Sequence, residues 1–212
     1  MDGDDGYSTD VGYIPREGTL FVDTCGIQFV GPYDNRLPEV KKNIIKRAKG
    51  CLSVFKERDN VVTTNGVLDE IDVIIDIYKR WKSGLREFDF YSRKRDGREQ
   101  KDVTRILKQQ CKSGISVYRK LHKYLDEASR DLDMGSELEQ REIRSFIHRY
   151  DKSIRLSPVD VELVSGAIYS GDSTGVLSAD ASLFRTYRRA VEHFRLEDCF
   201  VANAIDDVVE WL

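Results

Sequence analysis

The sequence predicts an α/β sandwich built on a parallel sheet, and three observations carry that prediction. Short apolar runs such as Leu20-Phe21-Val22 and Val176-Leu177 are too brief for helices and lie near Gly, Asp or Ser. Stretches with a helical apolar period stand between those runs. The chain has 212 residues, 40% of them hydrophobic, which is enough for a real core in one generous domain. Strands that alternate with helices pair in parallel, because each helix supplies the crossover.

Taken in order, residues 1–18 are Gly- and Asp-rich and read as a mobile arm. The first strand covers about 19–23, and a loop with Gly, Pro and Asn, "GIQFVGPYDNRLPEV", follows it. A basic, periodic stretch from about 38 to 57 predicts a helix. "DNVVTTNG" gives a second short strand between turn residues. In "VLDEIDVIIDIYKRW", Val67, Leu68, Ile71, Ile74, Ile75 and Tyr78 share one side of a helix. A Lys/Arg-rich region and charged amphipathic helices extend to about 150. Ser157 and Pro158 open the next helix as N-cap and first helical residue. "TGVLSAD" is a third strand, "SLFRTYRRAVEHF" a helix and "CFVANAI" a last strand.

Charge is unevenly spread. Lys79 to Lys123 holds 15 Lys/Arg against 5 Asp/Glu, an excess of +10 that leaves −13 for the rest of a chain whose net charge is −3. Cys25, Cys51, Cys111 and Cys199 lie far apart, without a C-x-x-C pair, and read as reduced structural thiols. The acidic start has no apolar h-region, and no apolar run reaches the roughly 18 residues of a membrane span. These features predict a soluble, cytoplasmic protein with no membrane partner.

Four carboxylates then stand out. Asp23 ends the first strand and Asp180 the third, at the edge where parallel α/β sheets bind ligands. Glu70 lies three residues after Val67 and four before Ile74, on the apolar side of its helix. Asp160 completes a Ser157-x-x-Asp160 capping box, yet also heads the stripe Leu163, Val164, Ala167 and Ile168. Each has an ordinary reading as a cap, turn or margin residue. All four fall on one edge, where like charges would raise one another's pKa values. A divalent cation resolves that conflict, and oxygen ligands without His or Cys suit Mg2+ or Mn2+. Such an ion can activate water for phosphodiester hydrolysis.

With these residues in view, "LFVDTC", "VVTTNGVLDEI", "LSPVDVELVSGAI" and "GVLSADASLF" together resemble the PIN-domain nucleases. The match runs over roughly 19–80 and 155–205. It implies a Rossmann-like α/β/α sandwich with four or five parallel strands, and Asp23, Glu70, Asp160 and Asp180 as catalytic metal ligands. It also implies Thr24 and Ser178 as supporting hydroxyls, and an endoribonuclease activity with RNA favoured over DNA. Glu162 rivals Asp160, since a slightly shifted helix register would present it instead. The region at about 82–150 exceeds what small family members carry and reads as a large basic helical insertion, leaving 19–212 as the PIN-like domain. A homodimer, or a protein partner such as an antitoxin, fits the same setting.

Within the insertion, Arg93, Lys94, Arg95 and Arg98 are the expected nucleic-acid contacts, interleaved with aromatics that could stack on bases or fill the core. Lys41, Lys42, Lys46, Arg47 and Lys49 are expected to extend that basic surface. The alternative function is a non-catalytic nucleic-acid-binding or scaffold protein on the same fold.

Overall fold

Leu20, Phe21 and Val22 are wholly buried in β1 (Thr19–Val22), as a strand covered on both faces requires. In the computed structural model, residues 13–28, 38–58, 60–92, 98–132, 135–150 and 156–212 are described. β1 is flanked by β2 (Val61–Val62) and β3 (Thr174–Ser178), and β4 (Phe200–Asn203) and β5 (Val208–Trp211) complete the sheet in the order β2-β1-β3-β4-β5. The first four strands in that order are parallel, and β5 is antiparallel to β4. The protein is thus α/β with a mostly parallel five-stranded sheet.

Four parallel strands are present as expected, and the expectation is corrected only by the added antiparallel edge strand β5. Residues 204–207 form a tight turn in which Asp207 takes a positive φ of 52°, so the chain returns at once beside β4. A hairpin needs no crossover helix. The loop expected after β1 is corrected too, since it begins with the short helix α1 (Thr24–Gln28). There Gly26 lets α1 lie against β3, for a Cβ on it would stand 2.6 Å from the Leu177 carbonyl oxygen.

Of the arm expected over 1–18, residues 13 and 14 are packed. Ile14 is buried, and the Tyr13 hydroxyl donates to the Asn203 carbonyl at 3.2 Å.

α2 (Pro38–Lys56) packs on α1 and on α4 (Arg98–Ser129). Its Arg47 is a correction: it is fully buried rather than part of a basic surface. Its Nε donates to the Gly26 carbonyl at 3.1 Å, and its guanidinium meets Asp207 at 3.5 Å. A buried cation demands such partners.

α3 (Asn65–Ser92) runs past the expected stop near Trp81, as no proline interrupts it. It lies antiparallel to α4, with Asp72 opposite His122 and Tyr78 stacked on Tyr118 at 5.9 Å. Gly114 of α4 makes room for the Tyr78 ring, which a Cβ would meet at 2.8 Å. Cys111, Val117, Tyr118, Leu121 and Leu125 of α4 join the main core, as do Ile143, Phe146 and Ile147 of α5 (Glu137–Tyr150). α6 (Pro158–Tyr169) and α7 (Ala181–Phe194) pack on each other and on β3. No helix among the described residues is long and apolar enough to cross a membrane.

Candidate active site at the carboxyl edge of the sheet

The chain leaves β1 toward β2 on one side and later returns to β3 on the other, which opens a crevice beyond the carboxyl ends of β1 and β3. Asp23 is the first residue past β1. Its backbone N–H donates to the Leu177 carbonyl at 3.0 Å, so the ladder with β3 continues to it. Ser178 of β3 pairs with Asn203 of β4, and one further step along the β1–β3 register brings Asp23 level with Ser178. Level residues of parallel strands point to the same side of a sheet. A row of polar side chains therefore crosses the carboxyl edge.

Asp23 is 3% exposed. Ser178 Oγ donates to its Oδ2 at 2.5 Å. Burial pushes the Asp23 carboxyl up to about 6; the Ser178 bond opposes this, and the charges of Asp160 and Glu70 add to it. An ionised carboxylate there is costly. Among the described residues no Lys or Arg forms an ion pair with Asp23, Glu70, Asp160 or Asp180.

Glu70 is half-buried in the second turn of α3, and Thr24 at the start of α1 donates its hydroxyl to Glu70 Oε2 at 2.5 Å. Asp160 is half-buried in the first turn of α6. It performs the capping role anticipated for it, accepting from the Ser157 N–H at 2.8 Å while its own N–H donates to Ser157 Oγ at 3.1 Å. Asp160 still acts on Asp23 through space. Its rival Glu162 instead lays a carboxylate oxygen against Gly66, 3.0 Å from where a Cβ would stand. Gly66 lies in the first turn of α3, where the exposed N–H groups favour an anion. Asp180 caps α7, accepting from the Ser182 N–H at 2.6 Å.

Cys25 registers the whole cluster. Burial and then the charges of Asp23, Glu70, Asp160 and Asp180 push its thiol up to about 12. The charges of all four sequence-predicted acids act on this one thiol, and Thr24 and Ser178 are hydrogen-bonded to two of the acids. Arg93, Lys94 and Arg95 lie outside the described residues, and Arg98 enters as the first residue of α4.

Sequence reasoning passed over Thr64. Its hydroxyl oxygen is buried without a hydrogen-bond partner, between the end of β2 and the start of α3. A signal existed in "VVTTNG", where two hydroxyl residues end a strand at the ligand edge.

The acids offer oxygen donors of the kind a hard divalent cation takes, and the buried one among them has no opposing cation. In the present rotamers each acid is engaged by a protein donor. Among the described residues no three Asp, Glu, His or Cys side chains converge closely enough to hold one ion. A comparison of the chain with protein-family models, with characterised proteins and with solved structures found no match.

Proposed function

We propose that this protein is a divalent-metal-dependent nuclease of PIN-like, Rossmann-like architecture that hydrolyses phosphodiester bonds, with RNA preferred over DNA. The observation behind this reading is Asp23, a buried strand-end carboxylate whose pKa is raised by burial and by Asp160 and Glu70 together. Folding has accepted an unfavourable charge arrangement that a cation would relieve. Asp23, Glu70, Asp160 and Asp180 would hold Mg2+ or Mn2+. Bound there, the ion would supply an activated water and stabilise charge on the leaving oxygen.

The chain's own residues have definable parts. Ser178 fixes the Asp23 carboxylate through a hydrogen bond whose direction is set, because its acceptor side takes the Asp180 N–H at 3.0 Å. Thr24 holds Glu70 in the same manner. With its thiol pushed up to about 12, Cys25 is given no nucleophilic part. No covalent intermediate is invoked.

A second reading is a non-catalytic nucleic-acid-binding protein on this fold. The hydrogen bonds that already occupy every acid favour it. The test incubates single-stranded RNA and DNA with the protein and Mn2+, beside Asp23→Asn. Cleavage that vanishes in the variant supports the enzyme. Binding without cleavage under Mg2+ or Mn2+ supports the second reading.

A further inference from the structure

α3 and α4 enclose an open groove of about 370 Å³ lined by Lys82, Lys112, Arg119 and Lys120, with Ser116 and Ile115 between them. Lys112, Arg119 and Lys120 are exposed and Lys82 is half-buried. Among the described residues none of the four forms an ion pair, although the same two helices pair other charges, as in Lys79–Asp76 and Lys123–Glu127. Four unneutralised cations in one concavity repel one another and raise the local positive potential. The fold tolerates that repulsion where nearby surface avoids it.

Lys112 and Lys120 are eight residues apart, about 12 Å along the axis of α4. That span suits a ligand with charge repeated along its length, and Ile115 offers it an apolar contact between the cations. Lys82 lies twelve residues beyond Glu70 on α3, about 18 Å along the axis and on a different side of the helix. The groove is therefore separate from the carboxylates.

We propose that this groove is an exosite for the phosphodiester backbone of a single-stranded nucleic acid. The proposal deepens the nuclease reading and rests on it for the identity of the polyanion. The groove grips the strand away from the acids, where repulsion from four carboxylates would otherwise weaken binding. Its contacts are to phosphates, so it is indifferent to base sequence.

The test measures anisotropy of a fluorescein-labelled single-stranded RNA, and of DNA of the same sequence, in EDTA so that no cleavage is needed. The expected result is that Lys112→Gln/Arg119→Gln/Lys120→Gln loses affinity at least about tenfold and flattens the salt dependence by two to three phosphate contacts. Lys112→Arg/Lys120→Arg retains affinity, and Lys56→Gln/Lys123→Gln, outside the groove, changes it little. Unchanged affinity in the triple variant overturns the exosite. So does wild-type binding abolished by an equal concentration of inorganic phosphate, which marks a site for a free anion, or tighter binding of polyglutamate than of RNA, which marks a site for an acidic protein. The two readings fail separately. A groove that binds in a protein that never cleaves sinks the nuclease alone, and cleavage with unaltered KM in the triple variant sinks the exosite alone.

Discussion

Ser178 donates its single hydroxyl proton to Asp23 across the β1–β3 pair, Oγ to Oδ2 2.5 Å, while its acceptor side is held by the Asp180 amide at 3.0 Å. One small side chain thus links the two strand-end acids. Removing it in Ser178→Ala leaves a buried carboxylate and a backbone N–H each short of a partner. The expected cost is about 1–3 kcal/mol of stability, measured by urea unfolding, with a further rise in the Asp23 pKa.

Asp23→Asn is expected to stabilise the metal-free protein. The raised pKa corresponds to roughly 3 kcal/mol of unfavourable ionisation at neutral pH as an upper bound. An amide still accepts from Ser178 and carries no charge. Unfolding midpoints in EDTA test this. A variant that is both inactive and less stable than wild type would contradict the reading of Asp23 as a strained acid.

The pH dependence follows from the same group. Its folded value of about 6 lies above the ordinary 3.8, so the folded state binds the proton more tightly. Its contribution to stability is full below about pH 4 and is lost as pH rises through 6. Metal-free protein should gain stability as pH falls from 7 to 5. Cation binding, which competes with the proton, should weaken over the same interval, as titration calorimetry with Mn2+ at several pH values can measure.

Cys51, Cys111 and Cys199 are buried, whereas Cys25 keeps part of its surface open to solvent while its thiol sits against the protein near the carboxylates. With its thiol pushed up to about 12, maleimide labelling at pH 7.5 should be slow. A cation among the carboxylates offsets the charges that raise it, so Mn2+ should accelerate labelling and Asp23→Asn should do so without metal. This readout needs no substrate. Equal rates with and without Mn2+ would count against a cation at these acids.

Gly26→Ala should displace α1, because the new methyl would stand 2.6 Å from the Leu177 carbonyl oxygen and 2.8 Å from its Cγ. Overpacking of this kind costs about 1–3 kcal/mol. Thr24 opens the same helix, so the Thr24–Glu70 bond should loosen with it. Activity should fall more than stability alone explains.

Much of this architecture could be read from residues that obey local rules. Leu20-Phe21-Val22 announced a buried strand, and Ser157-Pro158 with Asp160 announced a helix start. Glu70 at the margin of an apolar stripe pointed inward, and it does meet Thr24. The failures came where tertiary context overrides local pattern. Arg47 looked like one of a row of surface cations, yet Gly26 and Asp207, distant in sequence, draw it inside. β5 escaped notice because the Asn203–Asp207 turn reads as a chain end rather than a hairpin. The groove cations at 82 and 112–120 are thirty residues apart, and only the antiparallel packing of α3 on α4 makes them neighbours.

The guanidinium of Arg47 reaches in one direction to the helix that starts beside Asp23 and in the other to the turn before the final strand. The β4–β5 hairpin is thus a brace for α1, which is distant from it in sequence. Trimming it off would strip a desolvated positive charge of its Asp207 counter-ion, and the disturbance would travel through Gly26 to the crevice without any residue there being altered.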